Sequence, residues 1–320
     1  MPTISFVIPT FSRAPILAQC LRALDAQESA PVEYEVVVVD DGSTDDTGMV
    51  MNGIVPGLSV PVRLLHQQNQ GAATARNLGV TAARGNLIGF LGDDIVVERS
   101  YVRNIYGGYL EHEGEPHGVL GHTRYRADSI PTPFGRWLDT KSGFQFDYSE
   151  ARVDAPLPFE LFYASNILVP RAALEQAGGF DTRLRVAAYE DAELGYRLSR
   201  QGLTLYFCPE ARAEHIHRVS ITSAAARMRM LGQSLNDLRH INSELFDTLY
   251  PEANGVFGHP SATRRVGRWL FSNPVARVVE FLDRGGVEVP GDVYARILRS
   301  TFSREMSTLW PRTGVTIDGT

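Results

Sequence analysis

Carboxylates stand side by side at Asp40-Asp41, Asp93-Asp94 and Glu190-Asp191, each pair at a point where the local pattern changes. Adjacent acids repel and are costly unless a cation, a donor or solvent compensates. Asp93-Asp94 follows the apolar run Leu87–Leu91 and Gly92. Hard ions such as Mg²⁺ or Mn²⁺ can bridge a carboxylate in that setting to substrate phosphates, and a solvated turn is the plainer reading. Asp40-Asp41 ends the run Val36–Val39 and precedes Gly42. A carboxylate there can accept from a base N–H or a ribose hydroxyl; equally, Asp41 or Ser43 can cap the next helix. Glu190-Asp191 opens an amphipathic stretch, where the helix dipole favours acids and where one held near water can serve as a general base. Arg76 lies early in the alanine-rich segment Gly71–Arg84, its planar fork suited to a phosphate or to a surface acid. His215 and His217 alternate, so in a strand both imidazoles point one way, a pattern open to Mn²⁺-type ligation or to packing.

These residues need a scaffold that gathers them. Short β-rich runs at Ile4–Ile8, Tyr34–Val39, Val62–His66 and Asn86–Leu91 alternate with helical patterns at Ala14–Ala26, Thr44–Met51 and Gly71–Arg84. The alternation predicts an α/β fold, a Rossmann-like, mostly parallel sheet flanked by helices. Ligands of such sheets bind at the carboxyl ends of strands, where Pro9–Arg13, Asp40–Asp46 and Gly92–Asp94 fall. Further on, Val119–Tyr125, Leu161–Val169, Leu203–Phe207 and Ala211–His217 read as extended, and Arg171–Gln176 and Asp191–Gln201 as helices. From Ser220 the pattern turns helical, over Ala224–Leu245, Ala262–Leu282 and Val293–Leu309.

A 320-residue chain with 43% hydrophobic and 21% charged residues can bury a core and does not read as disordered. Its net charge of −6 gives no surplus for neutralising phosphates, so no nucleic-acid partner is expected. Two cysteines exclude a disulfide framework. With no signal-like start and no apolar run long enough for a bilayer, a cytoplasmic protein without a transmembrane segment is expected.

Together, the clusters from about residue 3 to about residue 218 resemble the family 2 glycosyltransferases of the GT-A fold. The resemblance implies a metal-dependent enzyme that moves a sugar from a nucleoside-diphosphate sugar to an acceptor hydroxyl, inverting by direct displacement. It implies a GT-A domain over 1–218, with a nucleotide half at 1–97 and an acceptor half at 98–218, and a helical extension over 219–320. Pro9, Thr10, Phe11 and Arg13 resemble the family's nucleotide loop, Asp40 and Asp41 its base-contacting segment, and Arg76 its nucleotide arginine. Gly92-Asp93-Asp94 falls at the metal motif, aspartate–any–aspartate, with glycine in place of the first acid; Asp93 is then the ribose contact and Asp94 the metal ligand. Glu190 and Asp191 resemble the catalytic acid pair, with Asp191 as base, and His215 the late metal-ligating histidine, with His217 in reserve. The implied cofactor is Mn²⁺ or Mg²⁺. The acceptor is left open among a glycan, a lipid-linked and a small-molecule acceptor.

The segment 131–160 reads as irregular; Phe134, Trp137, Phe144, Phe146, Tyr148 and Phe159 either form an acceptor platform or pack the loop down. Arg264–Phe271 is basic and aromatic, open to peripheral contact with the inner membrane face or to a homodimer through the C-terminal helices. Rival readings are a sugar nucleotidyltransferase, whose usual glycine- and arginine-rich loop is missing at Pro9–Arg13, and a non-catalytic nucleotide-sugar-binding protein.

Overall fold

The computed structural model describes residues 3–28, 32–112, 114–140, 145–185, 188–250 and 273–309. They divide into two compact units, Met1–Pro131 with Leu138–Arg218, and Thr132–Trp137 with Val219–Thr320.

The first unit is built on strands β1 (Ile4–Thr10), β2 (Tyr34–Asp40), β3 (Val62–His66), β4 (Leu87–Leu91), β5 (Ile95–Val97), β6 (His117–Tyr125), β7 (Asn166–Pro170) and β8 (Thr204–His215). They form one sheet in the order β3-β2-β1-β4-β7-β6-β8-β5. The run β3-β2-β1-β4 is parallel. β7 enters antiparallel between β4 and β6, and β5 closes the far edge antiparallel to β8. Val36 and Val38 face one core layer, and Val37 and Val39 the other, so the valine run is covered on both faces. Helix α1 (Ala14–Asp25) puts Leu17, Leu21 and Leu24 into the first layer. On the opposite face, α3 (Ala72–Ala82) brings Ala73 and Ala75 against β1 and β2. The small residues of α3 have a steric reason, because a Cβ on Gly79 would overlap the Val7 side chain. The element named α2 spans Thr47–Ile54, α4 Tyr101–Leu110, α5 Pro133–Thr140, α6 Arg171–Ala177 and α7 Glu190–Arg200.

The structure departs from the sequence pattern where pairing overrides local preference. β1 runs through Pro9 to Thr10, because Pro9 and Thr10 stay in register with Val39 and Asp40. Only Asn166–Pro170 of the expected strand 161–169 is extended; Phe159–Leu161 is a 3₁₀ turn and 163–165 a loop. The two extended runs 203–207 and 211–217 are one strand, β8, with a register shift opposite Gly121/His122. The segment 131–160 is not wholly irregular, since it contains α5.

In the second unit α8 (Ile221–Ile241) begins with a capping box between Ser220 and Ser223, and Asn242 caps α9 (Ser243–Leu249), ending the helix expected to run on to 245. α10 (Asn273–Arg284) carries Pro274 in its first turn, where the missing N–H costs nothing, and α11 (Gly291–Leu309) packs along α8. Phe134 is fully buried 5.2 Å from the Tyr294 ring, and Trp137 lies 5.3 Å from it, so these two rings form core and not an acceptor platform. Phe144 and Arg264–Phe271 lie outside the described residues.

Candidate active site

Four strand ends and the start of one helix converge on the acidic residues. Thr10, the last residue of β1, donates its hydroxyl to Asp93 Oδ2 at 2.8 Å. Arg13 donates one nitrogen to both Asp93 Oδ1 and Asp94 Oδ2, each at 3.0 Å. Asp94 Oδ2 also faces His215 Nε2 at 3.3 Å, and Ile216 N donates to the Asp94 carbonyl at 2.9 Å. The antiparallel register that sets Ile95 against His215 brings a histidine from the end of β8 to the turn after β4. Cys20 Sγ donates to the Asp93 carbonyl at 2.7 Å; burial pushes this thiol well above its usual range, so it serves as packing and donor, not nucleophile.

The two acids titrate in opposite directions. Burial, and then the charge of Asp94, pushes Asp93 up to about 6, against the pull of Arg13 and Thr10. Burial would raise Asp94 too, but the hydrogen bond and charge of His215, followed by Arg13, hold it below the usual carboxylate range. His217 is half-buried, with its ring centroid 6.2 Å from that of His215. Burial, then Arg13, lowers its pKa.

The second acid pair starts α7. Arg76 from α3 donates to Glu190 Oε1 at 2.9 Å and to Asp191 Oδ1 at 3.3 Å, and lies 5.2 Å from the Phe180 ring. Ala188 N donates to the other oxygen of Glu190 at 2.7 Å. Glu190 is 3% exposed, whereas the Asp191 side chain is 27% exposed. Glu190 therefore holds Arg76 and the start of α7, and Asp191 is the member of the pair that reaches solvent. The two pairs meet through one loop, because Ala164 N donates to Asp191 Oδ2 at 2.9 Å and Ser165 O accepts from Gly92 N at 3.2 Å.

At the neighbouring strand end the nucleotide-loop residues are tied to the Asp40-Asp41 turn. Ser12 N donates to Ser43 Oγ at 2.8 Å, with Ser12 in the left-handed region at φ 53°. Asp40 accepts from Ser43 N and faces His66 Nδ1 at 3.2 Å. Asp41 is turned inward: it accepts from Gln67 Nε2, Gln70 N and Gly71 N, and so fixes the loop ahead of α3. Neither Asp41 nor Ser43 caps α2, whose N-cap is Asp46. Phe11 is 45% exposed beside this turn.

The sequence model described as "Glycosyl transferase family 2" matches residues 5–157, which include every one of these strand-end residues up to Asp94. Over that stretch the chain is similar to glycosyltransferase family 2. It is 28% identical over 252 residues to validoxylamine A glucosyltransferase of Streptomyces hygroscopicus subsp. limoneus, an alignment covering 70% of this chain and 54% of that protein. It is 26% identical over 227 residues to the hyaluronan synthase of Pasteurella multocida, covering 62% of this chain and 23% of that one. The chain thus spans little more than half the length of the first of these curated relatives. A solved structure, mannosyltransferase PcManGT from Pyrobaculum calidifontis in complex with GDP-Man and Mn²⁺, superposes with a TM-score of 0.66 at 18% identity, covering 97% of this chain and 87% of that one. The fold is GT-A.

The family 2 match raises the question of a divalent ion. Asp94, held ionised, and His215 present an oxygen and a nitrogen 3.3 Å apart, the spacing of neighbouring ligands around one small hard ion at about 2.1 Å. The donor set fits such an ion. Among the described residues no three His, Cys, Asp or Glu side chains converge as a metal cluster; the charge of His217 also acts on Asp94, behind those of His215 and Arg13. At Gly92 the first motif acid is replaced for a visible reason, since a Cβ there would stand 2.9 Å from Asp94 Oδ1 and 3.0 Å from Ile95 Cγ1.

The sequence pattern did not reveal Ala164 N, the Gln67 and Gln70 contacts, or the rings beside His215. Tyr125 and Phe146 lie 5.3 and 5.4 Å from the His215 ring, Phe146 at φ 59°. Both border a cavity of about 260 Å³ that Tyr148 and His122 also line. A larger cavity, about 590 Å³, sits at the amino ends of β2 and β3 around Tyr34, Glu35 and Pro61, away from the acidic residues. Arg197, at the far end of α7, pairs with Glu193 at 2.7 Å and is structural.

Proposed function

We propose that this chain transfers a sugar from a nucleoside-diphosphate sugar to an acceptor hydroxyl, with inversion at the anomeric carbon and dependence on Mn²⁺ or Mg²⁺. The observation that carries this reading is the shared loop: adjacent residues 164 and 165 hold Asp191 on one side and the Gly92-Asp93-Asp94 turn on the other.

In this reading the base and ribose lie over Phe11 and the Asp40-Asp41 turn, with Asp93 meeting the ribose. Arg76 and Arg13 bring positive charge to the diphosphate. A divalent ion held by Asp94 and His215 would neutralise charge that builds up on the departing diphosphate. Asp191 accepts the proton of the acceptor hydroxyl while that oxygen forms its bond to the anomeric carbon; the bond from that carbon to the diphosphate oxygen breaks, and the diphosphate keeps the electron pair. Glu190 is a positioning residue, because its hydrogen bonds among the described residues go to Arg76 and the backbone of Ala188. The aromatic-lined cavity beside His215 is the acceptor's entrance, since sugar faces stack on rings. Among the described residues no helix is long and apolar enough to cross a membrane. Exposed Val278, Phe281 and Val287 of the second unit are the residues that a second copy or a membrane surface would meet.

The test is a thermal-shift screen of UDP- and GDP-sugars with Mn²⁺, followed by NMR of the product anomer. A ligand that binds only the native state raises the melting temperature. A screen in which no sugar nucleotide raises it, with or without Mn²⁺, would count against the donor class. A product with retained configuration would remove the direct displacement.

A further inference from the structure

Arg13 occupies the Asp94 oxygen that faces His215. Its guanidinium bonds Asp94 Oδ2 at 3.0 Å, and the same Oδ2 faces His215 Nε2 at 3.3 Å. Its second bond, 3.0 Å to Asp93 Oδ1, makes it the shared counter-charge of both acids. A guanidinium and a divalent ion cannot both approach that oxygen, because like charges at such range repel strongly where water is scarce.

Arg13 is built to leave. Its side chain is 41% exposed, against 9% for Arg76. The backbone before it is fixed: Ser12, in its left-handed conformation, is bonded to Ser43 and accepts from Thr44 N. The anchor is therefore rigid, and the long side chain that reaches the acids is partly exposed. Once Arg13 moves, Asp93 keeps Thr10 as a donor and Asp94 keeps His215, so neither acid is stranded. A phosphate is the natural destination for a planar, bidentate cation.

We infer that Arg13 is a resident counter-cation that must exchange from Asp94 to a nucleoside diphosphate before a divalent ion binds, so that ion and nucleotide bind cooperatively. This rests on the metal and donor assignments proposed above. It makes the missing acid at position 92 intelligible, since the chain supplies its own cation to a two-acid site.

The test is Mn²⁺ binding, read from the free-ion EPR signal, in the full chain and in Arg13→Met and Arg13→Lys, each with and without UDP or GDP. In the unmodified chain at least one nucleotide should tighten Mn²⁺ binding about tenfold or more, the usual range for coupled sites. Arg13→Met should bind Mn²⁺ alone about tenfold tighter than the unmodified chain, and the nucleotide should add little. Arg13→Lys keeps the charge and should stay close to the unmodified chain. Equal or weaker Mn²⁺ binding by Arg13→Met would overturn the inference while leaving the metal assignment standing, and so would an Arg13→Lys as tight as Arg13→Met. If no protein binds Mn²⁺ under any condition, the metal assignment itself falls and takes this inference with it.

Discussion

Asp93-Asp94 and Glu190-Asp191 are chemically alike, two neighbouring carboxylates sharing one arginine, yet the chain treats them differently. The first pair follows a strand, and its arginine comes from an exposed loop. The second opens a helix, and its arginine is buried in α3 under the Phe180 ring. A buried cation between acids cannot be withdrawn without stranding charge in a poor solvent, whereas an exposed one can be exchanged for another cation at little cost. The first pair is thereby suited to ligand exchange, and the second to a fixed geometry that leaves Asp191 at the surface. Replacing Asp191 tests this division most severely. Asp191→Asn should cut turnover about 10²–10⁴-fold with nucleotide affinity nearly unchanged, the worth of a general base. Steady-state kinetics beside nucleotide titrations would read it, and unaltered turnover would remove Asp191 from the chemistry.

The next largest effect concerns the two arginines. Arg76→Met leaves Glu190 almost wholly buried without its cation and should destabilise the first unit by about 3–5 kcal/mol. Arg13→Met removes a partly exposed cation and should cost no more than about 1 kcal/mol. Urea unfolding of both variants would compare them, and equal losses would erase the distinction between the two pairs.

Much of this arrangement is readable in the sequence. The parallel half of the sheet was legible because β1, β2, β3 and β4 each announce themselves by a local apolar run, and βαβ connections leave few topologies. The acid clusters were legible as strand ends for the same reason. What was not legible depends on contacts between distant residues. Nothing near Ala164 signals that its N–H will meet Asp191, since that depends on how 163–165 cross between β7 and α7. Asp41 looked like an open carboxylate because the sequence does not show that Gln67, Gln70 and Gly71 fold back onto it. The alternation of His215 and His217 does not show that β8 ends at His215, which pairing with β5 sets opposite Ile95, next to Asp94.

Titration should sharpen the contrast within the first pair. Asp93 is raised to about 6 from its ordinary value of 3.8, so between about pH 4 and 6 the native state holds a proton that the unfolded chain has released. Stability from this group is therefore present below pH 4 and falls as pH rises through 6, by up to about 3 kcal/mol. Asp94, lowered from 3.8, acts in the opposite sense: its contribution is present above about pH 4 and is lost on further acidification. Melting temperatures of the unmodified chain and Asp93→Asn across pH 4 to 7 should diverge, with the variant gaining relative to the unmodified chain as pH rises. Parallel curves would mean that Asp93 ionises as an ordinary carboxylate.

The smallest effect lies at Gly92, between the two pairs. An alanine Cβ would stand 2.9 Å from Asp94 Oδ1 and 3.0 Å from Ile95 Cγ1. Asp94 is fixed through its other oxygen by Arg13 and His215, and Ile95 is 1% exposed and paired with His215, so neither yields freely. The crowding should cost about 1–3 kcal/mol. The reduced freedom of the unfolded chain returns about 0.4–1 kcal/mol. Gly92→Ala should accordingly lose about 1 kcal/mol and melt slightly lower. Because relief would come by rotating the Asp94 carboxylate, Mn²⁺ affinity should fall along with stability. If Gly92→Ala melted and bound Mn²⁺ like the unmodified chain, Asp94 would be a loosely held ligand, and the rigidity assigned to its His215 side would have to be given up.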